Sequence, residues 1–300
     1  MVFIIKFFSS FCDSQECKSK YERLCEIQNM PKYGKTISVT TGDDYTHAII
    51  LNTAMPVLKN IPKSHVIGLA FEPPQFLKLN TQFILYAQKY IGKYFIGDRR
   101  TGTGMGTLLP DVFKEHYSYM WHIQPLSYFP VKHKLMSIMV SNKKSAPGHK
   151  YRHTLVQHIL NAGFPIDIYG RGAEGYANVN SANVNAKQDS RIKGSFTELE
   201  PYEKYKFHIC IENFATNAYF SEKITNTLLC GATPIYWGCR YILDYFPKNV
   251  IVLSGDIVKD MTMLRDILVN SQKYTSVVDI KAIKDKLSLL NNAEMLFGKA

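Results

Sequence analysis

Glu222 and Lys223 stand side by side at the start of a short amphipathic run, with Ser221 before them and Gly231 after. Ser221 is suited to a helix N-cap and Gly231 to a C′ position, so the run reads as a short helix; Pro234 then opens the next strand. Just upstream, residues 206–211 form an apolar strand whose carboxyl end carries Glu212 and Asn213. A phosphate at this helix start would meet backbone N–H groups and the positive end of the helix dipole, and Lys223 would add a point charge. Glu222 is out of place beside an anion alone. It suits a ligand that also bears hydroxyls, and a sugar nucleotide supplies both: diphosphate for Lys223, ribose or sugar hydroxyls for Glu222. A plain surface Glu-Lys pair at a helix cap fits the same spacing.

Two more residues have the chemistry such a ligand needs. Glu72 ends an apolar strand and precedes Pro73, which keeps it extended at the strand's carboxyl edge. In a half-buried position its carboxyl would have a raised pKa and could take a proton from a sugar hydroxyl. The other reading is a strand-end Glu bonded to nearby backbone. Arg152 falls in the first turn of a helix read over 151–162, where its guanidinium can grip two oxygens at once; a solvated helix-start Arg is the bland alternative.

Other candidates carry less. The run Thr-Gly-Thr-Gly-Met-Gly at 101–106 lacks the Lys-Ser/Thr of a phosphate loop and reads as a mobile surface loop. The mixed spacing of Glu115, His116 and His122 favours surface or cleft-lining roles over a metal site, and there is no Asp-x-Asp pair to hold a cation. Tyr117, Tyr119, Trp121 and Tyr128 suit either stacking on a sugar or ordinary packing. The six cysteines, at 12, 17, 25, 210, 230 and 239, form no CxxC pair. Cys210 and Cys230 sit in apolar segments as small core residues, while a disulfide among the first three stays open.

The elements that must position these groups alternate. Residues 3–8, 37–40, 47–51, 66–71 and 94–96 are short apolar runs suited to buried parallel strands, with helices read over 18–28 and 81–89. A Lys/Ser/Pro/Gly-rich break at 141–150 follows a strand at 134–140 and precedes the helix at 151–162; a strand at 164–170 comes next. Residues 173–190 read as a flexible insertion, and the chain beyond Asp256 reads as helical. Such βα alternation on both sides of a break predicts an α/β protein of two doubly wound, Rossmann-like domains, 1–134 and 135–300, the last helix returning to the first. Ligands then bind at the carboxyl ends of the strands, in a cleft that the two domains face.

Composition limits the partners. An apolar fraction of 46% suits a globular chain, and a formal net charge of +11 points to an anionic partner or to a solvated basic surface. Lys and Arg are spread along the chain, with no basic arm or recognised nucleic-acid motif, so no nucleic acid is expected. The apolar start, Met-Val-Phe-Ile-Ile-Lys-Phe-Phe, is too short to span a bilayer and reads as a strand and not a signal peptide. No run reaches transmembrane length, and the expectation is a soluble protein of cytoplasmic type.

The segment 205–238 resembles the donor-binding signature of the α-1,3-fucosyltransferases, glycosyltransferase family ten. Asn213, Tyr219, Glu222 and Lys223 match the family's Glu-Asn…Tyr-x-x-Glu-Lys pattern, and Pro-Ile-Tyr-Trp-Gly at 234–238 matches the strand that closes it. Val-Ser-Asn at 140–142 followed by Arg152 is similar to the family's Ser-Asn…Arg element, whose Arg contacts the donor diphosphate. Ile-Asp-Ile-Tyr-Gly-Arg at 166–171 is similar to its Val-Asp-x-Tyr/Phe-Gly-Arg turn, making Arg171 a second contact. Leu-Ala-Phe-Glu-Pro-Pro-Gln at 69–75 resembles the element carrying the family's proposed base, here Glu72. The resemblance implies a GT-B, inverting fucosyltransferase that takes GDP-fucose as donor and needs no metal or cofactor. Its acceptor is then a hydroxyl, the 3-OH, of an N-acetylglucosamine or glucose unit in a glycan. The first half departs most from the family, which leaves the acceptor open. The alternatives are a GT-B transferase for another nucleotide sugar and a non-enzymatic protein that binds an anionic ligand or nucleic acid.

Overall fold

The computed structural model describes residues 3–27, 37–100, 106–117, 130–176, 189–289 and 292–298. Outside them lie Tyr119, Trp121, His122, Tyr128, most of the Gly-rich run at 101–106 and most of the insertion at 173–190; the Cys25 side chain is likewise not described.

The chain divides into two compact units. Unit 1 comprises Met1–Ser127, Thr216–Phe220 and Lys281–Ala300; unit 2 comprises Tyr128–Ala215 and Ser221–Ile280. The sequence reading, a cut at 134/135 with the last helix returning, lacks the return of Thr216–Phe220, because composition does not reveal which sheet a returning segment packs on.

The strands of unit 1 are β1 (Phe3–Ser9), β2 (Ile37–Val39), β3 (His47–Leu51), β4 (Val66–Leu69), β5 (Lys93–Ile96) and β6 (Phe113–Glu115). Its helices are α1 (Ser14–Ile27), α2 (Pro74–Leu77) and α3 (Thr81–Tyr90). The strands form one sheet in the order β2-β1-β3-β4-β5-β6, every ladder parallel. The sequence reason is plain in β3 and β4, His-Ala-Ile-Ile-Leu and Val-Ile-Gly-Leu, which are buried at every position, as strands covered on both faces must be. The order reverses at β1, the signature of double winding.

Unit 2 repeats the plan. Its strands are β7 (Lys134–Met139), β8 (Asp167–Tyr169), β9 (Ile192–Gly194), β10 (Tyr205–Thr216), β11 (Thr233–Cys239) and β12 (Ile251–Val252), with only the end of β10 reaching unit 1. They are ordered β12-β11-β10-β7-β8-β9, with parallel pairing from β10 to β7, β7 to β8, β8 to β9 and β11 to β12. The helices are α4 (Pro147–Asn161), α5 (Glu222–Leu229), α6 (Ile242–Tyr245), α7 (Ile257–Val269) and α8 (Ser271–Tyr274). Ile138, Leu155, Ile159, Ile168, Ile209, Ile235 and Leu264 form its core. Two last helices, α9 (Ile280–Leu287) and α10 (Ala293–Phe297), lead back into unit 1, where the Phe297 ring packs 5.9 Å from Phe3 and 4.7 Å from His47.

The strand order of unit 2 turns around between β7 and β10. The crevice above the carboxyl ends of these two strands is the switch point, where open α/β sheets bind ligands.

Candidate functional site

A pocket of about 600 Å³ opens at that switch point. Its wall includes Val140 and Ser141 after β7, His149 and Arg152 on α4, Arg171 after β8, Asn213 on β10, and Glu222 and Lys223 on α5. Arg152, Asn213, Glu222 and Lys223 come together here from three elements. Tyr219 belongs to unit 1, and so does Glu72.

Arg152 reaches the pocket by a route that differs from the sequence reading. The helix begins four residues earlier than expected, at Pro147, so Arg152 lies in the second turn and only 7% exposed, not at a solvated start. Pro147 and Gly148 fall in the Lys/Ser/Pro/Gly-rich break at 141–150 yet form the start of α4. Proline at N1 gives up no helical hydrogen bond, and glycine follows for a packing reason: a Cβ at 148 would lie 1.8 Å from the Glu212 carbonyl oxygen. One residue before Arg152, the Tyr151 hydroxyl donates to the carboxylate of fully buried Asp260, which also accepts the Ser254 and Gly255 N–H groups at 2.8 Å. This fixes α4 against the start of α7. The Arg152 guanidinium donates to the Ile211 carbonyl in the middle of β10. Burial lowers its pKa, opposed chiefly by the Glu212 carboxylate, and an arginine stays charged through such a shift.

Lys223 is held from three sides. Its ammonium lies 3.0 Å from Ser221 Oγ, 3.0 Å from Glu222 Oε1 and 3.5 Å from Glu212 Oε2. Burial works against the charge, but the Glu212 and Glu222 carboxylates outweigh it, with Arg152 opposing them, and the pKa rises above the ordinary 10.5. The Lys223 side chain remains 21% exposed, so the charge is available at the pocket wall.

Glu212, which the sequence places at the strand end without a role, has one here. Only 1% exposed, it accepts the Ser221 N–H at 2.8 Å and the Ser221 hydroxyl at 2.8–2.9 Å. It therefore occupies part of the helix start at which the sequence placed a phosphate. Ser221 does cap α5, its Oγ accepting the Lys223 N–H, but its own N–H is already taken. The clue was a glutamate inside an apolar strand, nine residues ahead of an N-cap serine. Gly238 completes the fit: a Cβ there would stand 2.5 Å from Glu212 Cγ. His149 has no place in the sequence reading. It is buried, and its Nδ1 accepts the Ala146 N–H at 3.2 Å, which leaves Nε2 as the donor. Burial lowers its pKa, as does Arg152, while a bond to Asn213 opposes them. His208, held at about 3 by burial and bonded to Ser137 Oγ at 2.8 Å, adds a neutral ring to the wall.

In unit 1, Glu72 lies past the end of β4 in the bend before α2 and is exposed, not half-buried. The strand ends at Leu69, and the Phe71 N–H bonds Asn52 Oδ1 at 2.8 Å instead of a neighbouring strand. Glu115 is engaged as an acceptor for Asn217 Nδ2 at 2.9 Å and the Arg99 N–H at 3.1 Å, and Tyr117 stacks on Phe220. Cys12 and Cys17 are free thiols. Among the described residues no three His, Cys, Asp or Glu side chains gather into a metal-ligating group, and no helix is long and apolar enough to cross a membrane.

The domain profile of glycosyltransferase family 10 (fucosyltransferase), C-terminal part, matches residues 129–276, the span that builds this pocket. Residues 129–276 thus form a domain of glycosyltransferase family 10. Among curated relatives, R654 of Acanthamoeba polyphaga mimivirus, named as a fucosyltransferase, is 31% identical over 108 residues, 32% of this chain and 18% of the relative. An alpha-(1,4)-fucosyltransferase of Arabidopsis thaliana is 38% identical over 48 residues, 16% of this chain and 12% of the relative. The chain spans less than a fifth of either relative. The crystal structure of an α1,3-fucosyltransferase superposes with a TM-score of 0.51 at 13% identity, covering 99% of this chain and 92% of that one. HepE of Anabaena in complex with UDP gives 0.55 at 9% identity, covering 99% of both. At these identities the likeness concerns the fold, which is GT-B.

Proposed function

We propose that the protein transfers L-fucose from GDP-fucose to a hydroxyl, the 3-OH, of an N-acetylglucosamine or glucose unit in a glycan, with inversion at C1. The observation that carries this reading is the meeting of Arg152, Lys223, Asn213 and Glu222 in one pocket at the switch point of the family 10 domain. Arg152 and Lys223 supply two positive charges for the diphosphate, and Asn213 and Glu222 supply polar groups for ribose or sugar hydroxyls.

In the reaction, Glu72 takes the proton of the acceptor hydroxyl. The acceptor oxygen bonds to fucose C1 on the face opposite GDP as the bond from C1 to the diphosphate oxygen breaks. Charge grows on the leaving diphosphate, where Arg152 and Lys223 stabilise it better than they stabilise the bound donor. Because Glu212 already satisfies part of the α5 start, these two side chains carry more of that task than the helix dipole does. The protein supplies this countercharge itself, so a metal is not needed. Arg171, exposed on the pocket wall, is a lesser contact.

A transfer assay with GDP-fucose and an N-acetylglucosamine-terminated glycan, followed by GDP release, tests the reading. We expect fucosylated product of inverted anomeric configuration, at the same rate with a chelator present. Glu72→Gln should bind donor as well as the native protein does and lose turnover by roughly 10²–10⁴-fold. An active Glu72→Gln variant removes the base; retained configuration in the product removes the mechanism.

A further inference from the structure

Glu72 is exposed, yet the backbone that carries it is fixed on every side. The Phe71 N–H donates to Asn52 Oδ1 at 2.8 Å, and the Phe71 carbonyl, which belongs to the peptide bond of Glu72 itself, accepts from the Tyr219 hydroxyl at 3.2 Å. On the other flank come Pro73 and Pro74, which begin α2.

Both holding residues are themselves built in. Asn52 follows β3 in the left-handed region, φ 53°, which an asparagine adopts at some cost. Its N–H donates to the Leu69 carbonyl at 2.9 Å and its carbonyl accepts from the buried Tyr94 hydroxyl at 2.8 Å. Tyr219 is 7% exposed and rides on Thr216–Phe220, the segment that unit 1 receives from the far end of β10. That segment is seated on β5's end: the Ala218 N–H donates to the Gly97 carbonyl at 2.8 Å, and a Cβ at Gly97 would stand 2.2 Å from Tyr219 Cβ. A strained asparagine and a buried tyrosine from distant parts of the chain thus converge on one residue, the neighbour of Glu72.

We propose that Asn52 and Tyr219 are positioning residues for Glu72, clamping Phe71 by its N–H and its carbonyl so that the carboxylate meets the acceptor hydroxyl in a fixed place. This rests on the reading of Glu72 as the base. It gives Tyr219 a different task from the donor contact that the family resemblance implies. A base on an exposed bend gains from such a clamp, because a displacement of about 1 Å at a reacting group can cost 10²-fold in rate.

Tyr219→Phe deletes one hydroxyl, and Asn52→Gly deletes the amide while keeping a residue at ease at positive φ. Both variants, with the native protein, are measured for GDP-fucose affinity, for kcat, and for hydrogen exchange of the Phe71 amide. We expect both to lose roughly 10- to 100-fold in kcat with donor affinity within twofold of native, and the Phe71 amide to exchange faster in each. Weakened donor binding with kcat kept in Tyr219→Phe makes it a donor ligand and overturns the proposal, as does an unchanged kcat in either variant. If the native protein transfers no fucose, the reading of Glu72 falls with it. The exchange rates then still decide the clamp: an amide no faster in Asn52→Gly and Tyr219→Phe than in the native protein sinks it.

Discussion

The rise in the Lys223 pKa comes from its carboxylate neighbours, Glu212 first. Because folding raises its pKa, the stability this ammonium contributes is complete below the ordinary 10.5 and is lost as pH climbs through the raised value. The first influence after burial is the Glu212 carboxylate, and it acts upward. Glu212→Gln can still accept from Ser221 but leaves Glu222 as the carboxylate opposing burial at Lys223, so the Lys223 pKa falls. GDP affinity in this variant should fall away at lower pH than in the native protein, measured by titration calorimetry across pH 7–11. Coincident pH profiles would show that Glu212 does not govern Lys223. The sequence revealed Lys223, Glu222 and Asn213 through their order along one segment. It could not reveal that Glu212 points at Ser221, since strand residues face alternate sides and only the packed sheet shows which side is closed.

Among the elements, α4 shows where reading residues in order stops working. Periodicity places a helix over 151–162; the structure extends it back to Pro147, where β10 runs close enough at Glu212 to demand Gly148. That requirement comes from a strand some sixty residues later, so no local pattern carries it. Gly148→Ala should destabilise the protein by about 1–3 kcal/mol, as inserted methyls in tight packing do, and weaken GDP binding through the displaced Arg152. Gly175→Ala, whose added methyl meets nothing within 4 Å, is the control and should do neither. Equal melting temperatures for the two variants would show that α4 and β10 have room to spare. Legible beforehand were the apolar strands, β3 to the residue, and the Ser221 cap with its Gly231 stop, at φ 68°. Short strands such as β9 and β12, of three and two residues, carry too little pattern to be seen.

At the scale of the molecule, the proposed transfer would draw on both parallel sheets of reversed strand order. Unit 2 offers the cationic pocket, and unit 1 offers a carboxylate on a clamped bend. The net charge of +11 exceeds what one diphosphate needs, and the pocket accounts for only part of it. The central claim is that this pocket holds GDP-fucose, and thermal unfolding tests it most directly. A ligand that binds only the folded state adds about 2.7 kcal/mol at a hundredfold excess over Kd, or roughly 5–10 °C for a domain of 150–250 residues. GDP and GDP-fucose should each raise the melting temperature by that order, with UDP-sugars at the same concentration giving little. No shift with either guanine nucleotide, or an equal shift with UDP-sugars, would contradict the account.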